Sequence, residues 1–452
     1  MLELTPKTIT ERSALRVNPC KSCQPVGALY AALGVRRCMP HSHGSQGCVS
    51  YHRTFLTRHF KEPAIAASSS FTEGASVFGG GANLRAAVKN IFDIYDPDII
   101  AVHTTCLSET IGDDLNAYIL DMDIPDDKIV VHANTPSYVG SHITGYAGML
   151  SGFIRYLADR RASPNGKTAV FPGFVNPGDI REIKRILHLL GLPVIVFPDQ
   201  SGVMDAPMSN TYRMYPEGGT SIDDIRSLGG CGRALALGNF ACGQPAGDLE
   251  EKCKVAYKCL PLPIGMEATD SFVTEAAGSG GVPQELEDER GRLLDLMLDA
   301  NPYFYNKTLA IFGDPDTVVG LTAFSLELGM RPRYIITGTP GDAFVRQTEA
   351  LLDKYDVTDA VVKAAADLFE LHQWIKNGPV DLLLGTSYGK QIAKAEDIPL
   401  VRAGFPVLDR YGHSYMPIVG YQGAMRLAEM MANALMDRYD RDCADEDMDI
   451  VM

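Results

Sequence analysis

The sequence lacks the segments that direct a chain into or across a membrane. Its first residues, MLELTPKTITERSALRV, carry scattered charges instead of the basic-then-apolar order of a secretion signal. No apolar run approaches the roughly 20 residues that a helix needs to span a bilayer. We therefore expect a cytoplasmic protein that makes no membrane contact.

Cysteine and positive charge are also scarce. Ten cysteines in 452 residues are too few for a disulfide scaffold, so we expect reduced thiols that can serve as metal ligands. With 41 basic and 56 acidic residues the net charge is −15, which argues against nucleic acid or an anionic membrane as the main partner. The phosphate-binding pattern G-x-x-x-x-G-K-[ST] is missing, so this chain should not hydrolyse ATP itself.

What the sequence does contain is a recurring alternation of short apolar runs and helical patterns. Apolar runs that end in Gly, Pro, Asp or Thr occupy 96–106, 167–174, 193–199, 307–316, 333–340 and 380–390. Strand–loop–helix alternation of this kind predicts an α/β fold with mainly parallel sheets flanked by helices. The number of units predicts three Rossmann-like domains, with residues 1–160, 161–290 and 291–452.

Cysteines stand at three places where such a fold gathers ligands, outside the carboxyl ends of parallel strands. Cys20 and Cys23 form a C-x-x-C, which is typical of zinc or thiol–disulfide sites, but no second pair follows at a zinc-ribbon spacing. Cys48 follows two glycines, Gly44 and Gly47, and a tight turn with a buried structural cysteine is the alternative there. Cys106 lies between a strand and a helix for which Ser108 is a plausible cap, where the positive end of the helix dipole favours a thiolate, although an inert thiol remains open.

Three cysteines on separate strand-to-helix loops favour a soft-ligand metal cluster of the iron–sulfur kind. The two glycines at 44 and 47 would let the backbone pass close to such a cluster and leave amide groups free for its sulfurs. Three is an odd number for a closed iron–sulfur site, so the remaining ligands would come from another chain.

Longer motifs now carry a specific resemblance. In order along the chain they are NPCKSCQPVGA, HGSQGCVSYHRTFLTRHFKEP, SSFTEGASVFGGG, TTCLSETIGDD, NTPSYVGSH, GDPDTVVGL and VRAGFPVLDRYGH. Together they closely resemble the β chains of the molybdenum–iron proteins (component 1) of the nitrogenase family. The likeness extends over nearly the whole chain.

The resemblance implies roles for four residues. Cys23, Cys48 and Cys106 match the β-chain cysteines that ligate the [8Fe-7S] P-cluster, whose other cysteines belong to the α chain. Ser137 matches a serine whose oxygen binds one iron when the cluster is oxidised; from its turn-like surroundings alone we would expect only local backbone bonds. Cys20 has no counterpart role.

A second metal site is implied at residues 293–300. Asp295 and Asp299 are four apart and share one helix face, which from spacing alone could be a solvated acidic surface. In the family the matching aspartates join a glutamate and a backbone carbonyl of the other β chain around a mononuclear divalent metal, Fe or Ca. The matching pair here is Glu62 and Lys61, where the family often has arginine in place of lysine.

The function implied is that of a nitrogenase subunit that relays electrons for reduction of N2 to ammonia, with no catalytic side chain of its own. The iron–molybdenum cofactor would lie in the α chain of an α2β2 heterotetramer, and an iron protein with MgATP would dock transiently. One alternative is a β-type chain of the cofactor-maturation scaffold, which tends to lack the cysteine of the TTC motif. A vanadium or iron-only β chain is another, and a nucleotide-binding oxidoreductase is disfavoured because GGGANL at 79–84 follows no clear strand.

Overall fold

In the computed structural model, which describes residues 4–10, 12 and 16–448, the described residues form three parallel sheets flanked by helices. This α/β architecture confirms the predicted fold class. The chain divides into two compact units, one of Ser22–Leu260 and one that joins the N-terminal segment up to Lys21 with the chain from Pro261 onwards. The domain boundaries expected after residues 160 and 290 stay a prediction.

The Ser22–Leu260 unit contains two four-stranded sheets with the orders β2-β1-β3-β4 and β6-β5-β7-β8. Every neighbouring pair of strands in them is parallel. The strands are β1 (Cys38–His43), β2 (Ala67–Ser68), β3 (Ile99–Thr104), β4 (Ile129–Ala133), β5 (Thr168–Phe171), β6 (Val194–Val196), β7 (Arg233–Leu237) and β8 (Tyr257–Leu260).

Except for the first helix, which precedes β1, the helices of this unit connect successive strands, as parallel pairing requires. They are α1 (Gln24–Leu33), α2 (Gln46–Phe60), α3 (Glu73–Phe78), α4 (Gly81–Tyr95), α5 (Cys106–Ile111), α6 (Leu115–Leu120), α7 (His142–Leu157), α8 (Pro177–Leu189), α9 (Ile222–Ser227) and α10 (Asn239–Cys253).

Helix α1 lies at the centre of this unit, and all ten of its residues are buried. It packs closely against α7. Glycine makes the approach possible on both sides, because a Cβ at Gly27 would overlap the carbonyl oxygen of His142 and a Cβ at Gly145 would overlap that of Gln24. Tyr30 of α1 fixes the far side by donating to the Val175 carbonyl at 2.7 Å. The start of α1 is therefore held by backbone-to-backbone contact.

The other unit contains a five-stranded parallel sheet of order β11-β10-β9-β12-β13. Its strands are β9 (Thr308–Gly313), β10 (Arg331–Thr337), β11 (Val361–Lys363), β12 (Leu382–Gly385) and β13 (Leu400–Arg402). Its helices are α11 (Met266–Ala277), α12 (Gln284–Asp299), α13 (Asn301–Phe304), α14 (Pro315–Glu327), α15 (Asp342–Lys354), α16 (Leu368–Asn377), α17 (Lys390–Glu396) and α18 (Gly420–Asp442). None of the helices in the described part of the chain is long and apolar enough to cross a membrane.

Two carboxylates anchor this second unit. Glu327 accepts the backbone N–H groups of Met266 and Glu267 at 2.7 and 3.3 Å, which caps the start of α11. Asp367, before α16, binds the N-terminal segment through the Arg12 guanidinium and the Val17 backbone N–H, both at 2.8 Å. The described N-terminal residues thus pack against a helix more than 300 positions away in sequence.

Candidate functional site

Three of the predicted ligands follow neighbouring strands of one sheet. Cys48 comes after β1, Cys106 directly after β3 and Ser137 after β4, and these strands are adjacent in the order β2-β1-β3-β4. Parallel pairing brings their carboxyl ends to the same edge, with His43 of β1 in register with Thr104 of β3. The sheet therefore places these three residues at one edge, as the sequence predicts.

Cys23 reaches the site differently from the prediction. It follows no strand in the described residues, but is the N-cap of α1, in extended conformation at φ −74° and ψ 158°. The neighbouring Gln24 side chain donates to the carbonyls of Pro136 and Val139 at 3.0 and 3.1 Å. That pair of hydrogen bonds fastens the turn containing Ser137 to the start of α1, so Cys23 and Ser137 are held together.

Of the two glycines before Cys48, Gly44 is required by a close contact between two loops. Gly44 has φ +155°, and a Cβ there would overlap the Thr105 hydroxyl of the loop that carries Cys106. Gly44 thus lets the two cysteine loops touch. Gly47 is exposed, a Cβ there would make only an ordinary contact with the Ser45 hydroxyl at 3.7 Å, and its N–H donates to that hydroxyl at 3.3 Å. The prediction of a free amide at this glycine is wrong in the described chain, because the helix cap uses it.

Cys106 is the first residue of α5 and is exposed. The helix is capped by Thr105, while Ser108 supplies the reciprocal half of a capping box by accepting the Thr105 N–H at 2.9 Å. The expected cap by Ser108 alone is wrong, since an N-cap side chain precedes the helix and Ser108 lies inside it. Ser108 also donates to the His43 carbonyl at 2.8 Å, which ties α5 to β1.

The thiols themselves are graded in exposure. Cys23 and Cys48 are half-buried, Cys106 is exposed, and all ten cysteines are free thiols. Burial raises the pKa of Cys23, and burial together with the adjacent Cys106 thiol raises the pKa of Cys48. Both groups carry a proton at neutral pH until a metal displaces it. In the described residues, no three His, Cys, Asp or Glu side chains are arranged to hold a single metal ion.

Ser137 lies in the turn between β4 and α7 and is half-buried. The turn is closed by the Val139 N–H, which donates to the Pro136 carbonyl at 3.4 Å. This bond joins two neighbours of Ser137, and the expectation that Ser137 bonds only the local backbone stays a prediction.

A buried histidine network lies behind the thiols. His52 of α2 places Nε2 3.6 Å from the Cys23 sulfur and Nδ1 3.5 Å from the Ser42 hydroxyl, which lies 2.7 Å from Nε2 of His103. On the opposite face of β1, the Ser69 hydroxyl bonds His41 and His43. Burial lowers the pKa of His41 to about 3 and that of His52 to about 4, so these rings are neutral.

The residues predicted for a second metal lie on the two separate units. Lys61 is the C-cap of α2 in left-handed conformation, at φ 65°, and is followed by half-buried Glu62. Asp295 and Asp299 lie on α12 and are exposed. Each pair is accessible from outside its own unit.

Cys20, the other half of the C-x-x-C, lies outside the thiol site. It is 4% exposed and belongs to the apolar core beside the five-stranded sheet. Burial is the main reason why its pKa is raised far above the usual range. It behaves as a small core residue, in agreement with the resemblance.

Comparison with known proteins decides the family. A model of nitrogenase component 1 type oxidoreductases matches residues 23–436. The chain belongs to this family. It is 56% identical to the nitrogenase molybdenum-iron protein beta chain of Clostridium pasteurianum, with all of both chains covered, and 40% identical to that of a Nostoc strain, covering 95% of this chain and 86% of the relative.

Solved structures agree. The structure titled "Nitrogenase Cp1 at pH 6.5" matches with a TM-score of 0.98 and 55% identity over the full length of both chains. A second chain, from "Nitrogenase Cp1 at pH 5", shares the fold at a TM-score of 0.69 and 14% identity, covering 97% of this chain and 93% of that one. The predicted β-chain resemblance is confirmed, and with it a subunit of a nitrogenase oxidoreductase complex.

Membership in the nitrogenase component 1 family implies iron–sulfur clusters, and a β chain implies an α-chain partner. The alternative of a scaffold or of a different metal system is not favoured, because the relatives described above are molybdenum-iron β chains. The sequence analysis missed the histidines of this nitrogenase chain. The signal that could have indicated them was the run of His41, Ser42 and His43. These polar residues belong to a strand that is buried along its whole length.

Proposed function

We propose that this chain holds one half of a [8Fe-7S] P-cluster through Cys23, Cys48 and Cys106. The observation that carries the proposal is a set of three free thiols that range from half-buried to exposed: Cys48 and Cys106 follow neighbouring strands at one sheet edge, and Cys23, at the N-cap of α1, is near enough to Cys48 for the two to interact. Soft thiolates are the ligands that iron–sulfur clusters require. An exposed Cys106 suits a cluster that is completed by cysteines of the α chain across the interface.

The residues of the site fit such a group in two further ways. Gly44 lets the loops of Cys48 and Cys106 touch without an intervening side chain. Gln24 holds the Ser137 turn beside Cys23, which would allow one hydroxyl to reach the same group as the thiol. A serine oxygen is a hard ligand that favours more oxidised iron and loses a proton on binding.

When bound, the cluster would supply one-electron redox chemistry between a docked iron protein with MgATP and the iron–molybdenum cofactor of the α chain. The role of this chain is to fix the thiolates, orient the Ser137 hydroxyl and bury one side of the cluster. N2 would be reduced to ammonia in the α chain. Cytoplasmic location stays a prediction.

We also infer a mononuclear divalent metal, Fe or Ca, between two copies of the β chain in an α2β2 complex. Asp295 and Asp299 would bind from one copy, with Glu62 and the Lys61 carbonyl from the other. Support comes from α12, where the exposed aspartates lie next to Leu294 and Leu298, which are 41% and 64% exposed. Leu294 and Leu298 are four residues apart and so share a helix face, which another chain could cover.

The two cysteines of the C-x-x-C test the main proposal. In the purified α2β2 complex, Cys23→Ala should lower iron content and remove the redox signals of the cluster, because a missing thiolate leaves iron under-coordinated. Cys20→Ala is the matched control and should retain both, since that thiol is in the core of the other unit. Full iron in Cys23→Ala, or equal loss in both variants, would contradict the proposal.

A further inference from the structure

The thiol of Cys23 is in contact with a buried chain of three side chains. His52 Nε2 lies 3.6 Å from the sulfur, His52 Nδ1 lies 3.5 Å from the Ser42 hydroxyl, and that oxygen lies 2.7 Å from His103 Nε2. His52 is 2% exposed, and Ser42 and His103 are fully buried. The three side chains come from α2, β1 and β3, so the network is fixed by helix and strand positions.

The direction of these hydrogen bonds follows from the donors and acceptors of the linked groups. A neutral imidazole has one donor and one acceptor nitrogen, and a hydroxyl can both donate and accept. Once Cys23 is a thiolate it can only accept, which makes Nε2 of His52 the donor and Nδ1 the acceptor. The Ser42 O–H then donates to His52 and the Ser42 oxygen accepts from His103.

The far end of the network favours the same direction. Nδ1 of His103 is buried without a hydrogen-bond partner among the described residues. When Nε2 of His103 donates to Ser42, the nitrogen left without a partner is an acceptor and not an N–H. Buried N–H groups without partners are the rarer and costlier case. The geometry of all three links thus agrees with a donor aimed at the Cys23 sulfur.

We propose that His52 is a positioning residue that donates a fixed N–H hydrogen bond to the Cys23 thiolate and thereby raises the reduction potential of the metal group this thiolate binds. The inference rests on the proposed function, in which Cys23 ligates iron. Hydrogen bonds to ligating sulfur withdraw electron density and favour the reduced cluster. Ser42 and His103 hold the ring in the donating tautomer, as outer partners of metal ligands do.

The test uses the purified α2β2 complex with His52→Phe and His52→Gln. Phenylalanine keeps a ring in the buried site and has no donor, whereas glutamine retains an N–H that can reach the sulfur. His132→Phe is the matched control, because His132 is a buried histidine of neighbouring strand β4 that bonds the Tyr156 hydroxyl at 2.6 Å. Iron content and the midpoint potential, from a dye-mediated titration followed by electron paramagnetic resonance, are measured for each complex.

We expect His52→Phe to retain its iron and to shift the midpoint potential to more negative values. A tenfold loss of preference for the reduced state corresponds to about 59 mV for one electron, and the shift should be on this order. His52→Gln should recover most of the shift, and His132→Phe should show none. In the wild-type complex, ¹⁵N labelling of histidine should give a hyperfine coupling that His52→Phe removes.

Two outcomes would overturn the inference. One is an unchanged potential in His52→Phe with full iron, and the other is an equal shift in His132→Phe. If the complex with His52→Phe fails to assemble, the test uses His52→Gln and Ser42→Ala instead. Ser42→Ala should shift the midpoint potential and His52→Gln should not, and any other result would overturn the inference. Failure of the proposed function is separate, because it would be seen as full iron in Cys23→Ala whatever His52 does.

Discussion

Replacing Gly145 by alanine should separate the two helices that hold Cys23 beside the Ser137 turn. A Cβ at this position of α7 would overlap the backbone carbonyl of Gln24 in α1. Backbone atoms cannot rotate away as a flexible side chain can, so the helices must move apart. Gly148, one turn further along α7, has no atom within 4 Å of its Cβ position. The two glycines therefore form a matched pair within one helix.

Two opposing terms set the size of the effect. An extra methyl group in a tightly packed contact costs about 1–3 kcal/mol, whereas alanine in place of glycine stabilises a helix interior by about 1 kcal/mol. Only the second term applies at Gly148. We therefore expect the free energy of unfolding to fall by up to about 2 kcal/mol in Gly145→Ala and to rise by about 0.5–1 kcal/mol in Gly148→Ala.

Urea unfolding followed by circular dichroism would measure both changes. Iron content of the assembled complex gives a second measurement, because displacement of Gln24 also displaces Cys23, and Gly145→Ala should bind less iron than Gly148→Ala. Equal stability and equal iron in the two variants would refute the argument that the close α1–α7 contact positions the thiol.

Three further predictions concern other parts of the chain. Burial raises the pKa of Glu327 from 4.5 to about 7, so the folded chain retains a proton that the unfolded chain releases. The free energy of unfolding of wild type should therefore fall by up to about 3 kcal/mol as the pH rises from 4.5 through 7. In urea titrations Glu327→Gln should be more stable than wild type at pH 8 and not at pH 4.5, and an equal difference at both pH values would contradict this. Ser137→Ala should assemble the cluster but lose the pH dependence of its oxidation, which in wild type should be about 59 mV per pH unit for one proton and one electron, and an unaltered slope in potentiometry would leave Ser137 as a turn residue. Joint replacement of Asp295 and Asp299 by alanine should remove one metal per β chain and weaken the β–β contact, while the spectra of the cluster stay intact. Unchanged metal content would mean that the two aspartates form only a solvated acidic surface.

The strands that the sequence predicts are those whose letters are apolar. All six predicted runs overlap a strand, because buried parallel strands bounded by turn residues form short continuous apolar segments. β1 was missed although it is central and wholly buried, since its sequence CMPHSH is polar and contains proline. Its histidines are tolerated in the core because the Ser69 hydroxyl bonds both His41 and His43, and Asp113 also bonds His43; those partners are distant in sequence.

The site was predictable in part. From the residues alone, the positions of Cys48 and Cys106 after strands could be inferred, whereas Cys23 could not, since it lies on a helix cap held by the Gln24 side chain. Singling out Ser137 required the family resemblance. The contact between His52 and Cys23 depends on the packing of α2 against α1, which no spacing rule reveals.

The attachment of the N-terminal segment near α16 affects the order of events during synthesis. The Gln373 side chain donates to the Thr8 carbonyl at 2.7 Å across 365 positions, and Arg12 pairs with Asp367 across 355. At ribosomal speeds of about 5–20 residues per second, Thr8 waits roughly 20 to 70 s for this partner to emerge. The Ser22–Leu260 unit, continuous in sequence, is complete well before then. About 30 residues of a nascent chain are still inside the ribosomal exit tunnel, at the roughly 3.3–3.6 Å that each extended residue spans. Protease added to stalled nascent chains should therefore cleave near residue 12 until the chain has been synthesised to about residue 410. A ribosome that stops before this point releases a polypeptide in which Thr8 and Arg12 lack the contacts with Gln373 and Asp367.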